Sequence, residues 1–146
     1  MEEGGLTVNQ PNVIREMLFG EGAGTPRSLA VIGLSERPDR PSHYVSAYMQ
    51  AQGYTIYPIN PGLSSVLGER CYGALSELPV KPDVVNVFRL PNLIPAIVDE
   101  MIALELANLW VQQGIVNREA AARAEESGIR VVMDRCIMVE HRAGLR

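Results

Sequence analysis

The sequence predicts a doubly wound α/β domain, a parallel sheet covered by helices on both faces. Five short apolar runs recur along the chain, helix-period segments separate most of them, and the runs are continuously apolar rather than alternating. Strands joined through helices need crossover connections and therefore lie parallel, and a strand covered on both faces is apolar at consecutive positions. The length of 146 residues suits one such core.

Residues 1–27 read as an N-terminal helix plus connector, and 28–146 as the domain proper. Asn9 is expected to cap a short helix with Pro11 in its first turn, and Val13, Ile14, Met17 and Leu18 share the face that docks on the domain. Three glycines and a proline between Gly20 and Pro26 then mark a flexible connector. The first strand is Leu29 to Gly33; after a Pro-rich turn, Ser42 is expected to cap a helix over about 43–52, closed by Gly53. Tyr54 to Ile59, rich in aromatic and β-branched residues, is the second strand, stopped by Asn60-Pro61-Gly62.

A looser stretch over 63–82 holds at most one or two helical turns, at Leu75 to Leu78. Asp83 to Phe88 is the third strand, and a helix from Pro91 or Asn92 to about Glu105 presents Ile94, Ile97, Val98, Met101, Ile102 and Leu104 inward. Ala107 to Gln112 is the fourth strand. Asn117 caps the next helix, which ends at Gly128, and Ile129 to Met133 is the fifth strand. The tail from Asp134 either adds a small sixth element or covers a sheet edge.

Composition narrows the function classes. With 47% hydrophobic and 21% charged residues the chain is an ordinary globular domain, and a net charge of -4 argues against a dedicated nucleic-acid binder. No run approaches the ~18 apolar residues of a membrane span, and Met1-Glu2-Glu3 is not a signal peptide, so a cytoplasmic, membrane-free protein is expected. Cys71 and Cys136 lack a CxxC spacing or a framework count and read as free, reduced thiols. Two His and two scattered Cys make no metal site, and His43 and His141 stand in no recognisable frame with a nucleophile. Lys81 is the one lysine beside 12 arginines, which makes any anion site here an arginine site.

In an open parallel sheet, ligands sit beyond the carboxyl ends of the strands, so the residues just after each strand are the informative ones. After the first strand, Gly33, Ser35, Glu36, Arg37 and Arg40 precede a helix N-terminus and form a candidate anion cradle; the competing reading is a surface loop in which Asp39 offsets Arg37 and Arg40. Only Gly33 is glycine there, short of G-x-G-x-x-G, and the second strand ends without a ribose-binding carboxylate, which disfavours NAD. After the third strand Phe88 can lie against a purine and Arg89 can meet phosphate, the competing reading being a core Phe88 beside a surface Arg89; after the fourth, Trp110 reads as core, with Gln112 and Gln113 at the rim. Cys136 reads as a packed or exposed thiol, and Asp134 as a partner of Arg135 or another rim arginine.

Taken together, the segments Leu29 to Ser35, Gly53-Tyr54, Tyr57 to Pro61, Gly68, Tyr72, Val84 to Arg89, Trp110 to Gly114 and Val132 to Cys136 resemble the stand-alone CoA-binding domain family. The V-I-G-x-S opening and the Y-P-x-N-P block are also similar to the N-terminal domain of ADP-forming acyl-CoA synthetases and of the succinyl-CoA synthetase α subunit. The resemblance implies a Rossmann-like domain holding coenzyme A or an acyl-CoA. It places Gly33 and Ser35 to Arg37 at the phosphate-contacting turn, and Asn60-Pro61, Val87-Phe88-Arg89 and Val111-Gln112-Gln113 on the rims of the second, third and fourth strands.

Gly62-Leu63 stand where relatives often carry a lysine, so Arg37, Arg40 or Arg89 has to supply that charge. The synthetases continue into a domain with a phosphorylated histidine, absent from this sequence, and their ligase reaction is not expected here. The expected function is non-catalytic binding, with an enzyme on another chain as a candidate partner. The alternatives are an NAD(P)- or acyl-thioester-dependent enzyme, and a redox switch pairing Cys136 with the CoA thiol.

Overall fold

Residues 8–20 and 27–145 are described by the computed structural model. Its main sheet contains β1 (Ser28–Ile32), β2 (Thr55–Ile59), β5 (Val84–Val87), β6 (Asn108–Val111) and β7 (Arg130–Met133). Their order across the sheet is β2-β1-β5-β6-β7, and every neighbouring pair is parallel. A two-stranded antiparallel hairpin, β3 (Ser65–Val66) with β4 (Glu69–Arg70), and a 3-10 turn over Leu75–Glu77 fill the segment read from sequence as loose.

The pleat sorts side chains onto two cores. Ala30, Ile32, Val85, Val87, Leu109, Val111, Val131 and Met133 face one side, where α3 (Ile94–Leu104) contributes Ile94, Ile97, Val98 and Met101 and α4 (Arg118–Glu126) contributes Ala120, Ala121 and Ala124. Leu29, Val31, Val84, Trp110 and Val132 face the other, under α1 (Pro11–Phe19), α2 (Pro41–Ala51) and α5 (Ile137–Gly144). This division follows from the chain path. The crossover from β1 moves one way along the sheet and the later crossovers move the other way, and right-handed connections then place their helices on opposite faces.

Two local expectations are corrected. Gln10, not Asn9, occupies the N-cap of α1. Asn9 has φ of 64° and lies against the end of β7, its Nδ2 donating to Met133 O (2.9 Å) and its Oδ1 accepting from Met133 N (2.8 Å), so its polar side chain extends the ladder instead of capping a helix. α2 starts about two residues earlier than expected: Pro41, with its preset φ and no N–H, fits the first helical position, which puts Ser42 inside the helix. Of the two readings of the tail, the structure shows the added element: after β7 the chain forms the helix α5.

Asn117 does cap α4, its Oδ1 accepting from Ala120 N at 3.0 Å. The helix after the third strand opens with a 3-10 turn over Pro91–Leu93 before α3. α1 docks through Met17 and Leu18 as its periodicity implies, and Arg27 secures its end by donating to the carbonyls of Met17 and Glu16. The glycine-rich connector falls mostly on 21–26, outside the described residues.

Candidate functional site

The strand order reverses between β1 and β5, so the loops leaving these two strands diverge and leave a crevice at their carboxyl ends. Gly33 makes the close approach there possible. Its φ is +89°, and a Cβ on it would stand 2.3 Å from the carbonyl oxygen of Phe88. No side chain fits between the two rims at that point.

The loop after β1 is held by its own hydroxyls. Ser42 Oγ accepts from Ser35 N (2.9 Å), Ser35 Oγ accepts from Arg37 N (3.0 Å), and His43 Nδ1 donates to the Ser35 carbonyl (2.8 Å). Ser42, expected as a cap, instead ties the loop to the first turn of α2. That turn has no side-chain cap, so the positive end of an 11-residue helix points into the crevice.

A cavity of about 850 Å³ occupies the crevice. Gly33, Ser35, Arg37, Arg40, Phe88, Arg89, Gln112 and Gln113 line it, eight of the residues that sequence reasoning selected. Among the described residues the lining holds three arginines and no carboxylate, although the chain carries 17 acidic residues. Arg37 pairs with Asp39 at 3.2 Å in an exposed contact. The guanidinium groups of Arg40 and Arg89 have no ion-pair or hydrogen-bond partner among the described residues. They leave a positive potential directed into the cavity.

The other selected residues sit elsewhere. Glu36 is exposed and outside the lining. Asn60 Nδ2 donates to Leu34 O (3.0 Å) and its Oδ1 accepts from Gly62 N (2.9 Å), so this side chain folds its own turn and props the loop after β1; Pro61 is exposed beside it. Val87 and Val111 are fully buried in the core. Their carbonyls bond the neighbouring rim, Val87 O accepting from Gln112 N and Val111 O from Asp134 N. Gln112 lines the cavity floor while buried, donating to Asn86 Oδ1 (2.7 Å).

Trp110 is wholly buried, its indole N–H donating to Arg135 O at 2.8 Å. Among the described residues Asp134 pairs with no arginine. At φ of 63° it accepts from Gly114 N (2.7 Å) and ties the β6 and β7 loops together, while Arg135 pairs with Glu140. Cys136 and Cys71 are both free, and only Cys136 lines the cavity; burial pushes the Cys71 thiol above its ordinary value. His141 is buried against Tyr48, whose hydroxyl lies 2.9 Å from Nδ1, and neither histidine lines the cavity.

Sequence reasoning missed an apolar half of the lining: Tyr44 on α2, Leu90 and Leu93 beyond β5, Ile115 beyond β6, and Met138 and Val139 on α5. Leu90 and Leu93 offered a signal, since two leucines flank a Pro-Asn turn at a predicted rim. A second cleft, about 500 Å³, lies at the opposite strand ends, but its cations are matched: Arg27 with Asp83, Lys81 with Glu105 and Arg130 with Glu16. It presents no net charge to a ligand.

The chain is similar over 115 residues to YneT of Bacillus subtilis (strain 168), at 44% identity, covering 79% of this chain and 85% of that protein. A solved structure of a hypothetical protein from Pyrococcus horikoshii OT3 superposes with a TM-score of 0.86 at 34% identity, covering 100% of both chains. Acetate–CoA ligase [ADP-forming] I of Archaeoglobus fulgidus is 23% identical over 122 residues, which span 77% of this chain and 18% of that enzyme. Residues 27–142, all of the main sheet and the whole cavity lining, match one family, and the chain belongs to it: the CoA binding domain family.

Proposed function

We propose that the domain binds coenzyme A or an acyl-CoA in the cavity at the β1/β5 reversal and does not itself transform it. The single observation behind this reading is the charge pattern: three arginines and no carboxylate line one cavity of a chain whose net charge is -4. Leaving Arg40 and Arg89 unpaired at a rim gains nothing for stability, whereas phosphates would meet them in charge-assisted, potentially bidentate hydrogen bonds. Gly33 lets a phosphate approach the backbone, the first turn of α2 adds its dipole, and Phe88 offers an aromatic surface for a purine. The ligand class fits the residues present, and membership of the CoA binding domain family supports the same class.

Binding without turnover is favoured by what the two histidines do. His43 Nδ1 is held by the Ser35 carbonyl and His141 Nδ1 by Tyr48, and among the described residues neither imidazole is hydrogen-bonded to the Cys136 thiol or to a lining serine hydroxyl. The similar region makes up 18% of the acetate–CoA ligase from Archaeoglobus fulgidus, which supports a partner enzyme as the consumer of the bound ligand. Isothermal titration with free coenzyme A tests the reading. The expected result is one site with Kd on the order of 1 μM or tighter; a titration with no saturable heat, together with no co-purifying CoA mass in native mass spectrometry, ends it.

A further inference from the structure

We infer that the apolar half of the cavity seats the hydrocarbon chain of a medium-length acyl thioester, so that the domain discriminates acylated from free coenzyme A. This rests on the coenzyme A reading above. Among the described residues seven large hydrophobic side chains are exposed, and four of them, Tyr44, Leu90, Leu93 and Val139, line this one cavity. Leu90 is 68% and Val139 51% exposed. They arise from α2, the loop beyond β5, and α5, far apart in sequence, and an exposed apolar cluster assembled from separate elements marks a binding surface.

Cationic and apolar side chains line one cavity side by side. Arg89 and Leu90 are consecutive and Tyr44 follows Arg40 by about one helical turn, so a single ligand with an anionic head and an apolar tail meets both kinds of group. Coenzyme A alone is a poor match for the apolar part of the lining. Its adenine and its amide-rich arm seek hydrogen bonds, and beyond the buried Gln112 that part of the lining offers only Gln113, the Tyr44 hydroxyl and the Cys136 thiol beside leucine, isoleucine, methionine and valine side chains. A saturated chain gains from every such contact, and an acetyl group is too short to use them. These side chains line the same cavity as the rim arginines, and that concave setting favours a ligand chain over a protein surface, which seeks a broad patch.

The test is isothermal titration with coenzyme A and its acetyl, butanoyl and octanoyl thioesters below their micellar concentrations. Affinity is expected to rise with chain length by up to about fourfold per fully buried methylene, with octanoyl-CoA at least about tenfold tighter than coenzyme A. Leu93→Asp and Val139→Asp, both at solvent-exposed positions, are expected to bring the octanoyl-to-free ratio close to one. Tight coenzyme A binding with no chain-length dependence in the unmodified protein overturns this inference, leaves the binding function standing, and assigns the apolar rim to a protein partner. A ratio that stays high in both aspartate variants also overturns it, because the chain then lies elsewhere. If neither coenzyme A nor any thioester binds, both readings fall together.

Discussion

Replacing Gly33 by alanine tests the closest backbone contact in the site. Two costs can be read from the geometry. The residue sits at φ +89°, where an L side chain costs about 1–2 kcal/mol. The added Cβ would also stand 2.3 Å from Phe88 O, against an ordinary carbon–oxygen approach of about 3.3 Å, so the two rims must part by roughly 1 Å. They are not free to part: Phe88 N donates to Ile32 O at 2.9 Å and Gly33 N donates to Ile59 O at 3.2 Å. Overpacking of this kind costs about 1–3 kcal/mol, which brings the total to roughly 2–5 kcal/mol and the expected fall in Tm to on the order of 5–15 °C.

Gly53→Ala separates the two costs. Gly53 has φ of +99° and nothing within 4 Å of a built Cβ, so it carries the conformational cost alone, about 1–2 kcal/mol. Both variants should be measured by calorimetry and urea unfolding. Equal losses at the two positions would refute the close-approach argument, and so would a Gly33→Ala protein as stable as the unmodified chain.

Arg40→Ala and Arg89→Ala should each weaken coenzyme A binding by about tenfold or more, since a charge-assisted contact is worth about 1.5–3 kcal/mol, while Arg37→Ala, whose guanidinium already pairs with Asp39, should cost less; titration calorimetry ranks the three, and the reverse order would contradict the assignment. Burial holds His141 below its ordinary value of 6.5, so the unfolded chain takes up a proton that the folded chain refuses. Stability should therefore be unaffected by this group above pH 6.5 and fall as pH drops from there towards the lowered folded value, and His141→Gln should flatten that slope of Tm against pH. Asn9→Ala removes both side-chain bonds to Met133 and should cost about 1–3 kcal/mol, with faster amide exchange at Met133 as the local readout. Trp110→Phe keeps an aromatic ring in the core but strands Arg135 O; a loss of about 1–3 kcal/mol in denaturant unfolding is expected, and unchanged stability would show that water replaces the indole.

Local pattern revealed the sheet because burial on both faces leaves its mark on consecutive residues: Leu29 to Ile32 and Leu109 to Val111 are apolar and all buried. Helix ends were legible where one side chain closes the turn, as Asn117 does, and were misread where a better use existed nearby. Asn9 and Ser42 both look like caps in isolation; each bonds a segment that only folding brings alongside, Met133 in one case and the loop at Ser35 in the other. The cationic side chains of the candidate site followed from the rule that ligands gather at carboxyl strand ends, since Gly33 ends the first expected strand, Arg40 lies in the loop beyond it and Arg89 follows the third. Val87 and Val111 came from the family resemblance, and the pleat turns their side chains into the core. Asn60 was legible as a turn residue, and its bonds to Leu34 and Gly62 are those of a turn.

The sequence by itself determined the five strands of the main sheet, the parallel α/β class, the arginine character of the candidate site and the glycine at its closest point. Those properties reside in single residues or in short periodic runs, where burial and backbone sterics act locally. Tertiary structure alone decided which arginines remain unpaired, that α5 supplies a wall of the cavity, and that Tyr44, Leu90, Leu93 and Val139 gather into one apolar half. Such facts depend on contacts between segments up to a hundred residues apart, and no local pattern encodes which side chains those contacts leave without a partner.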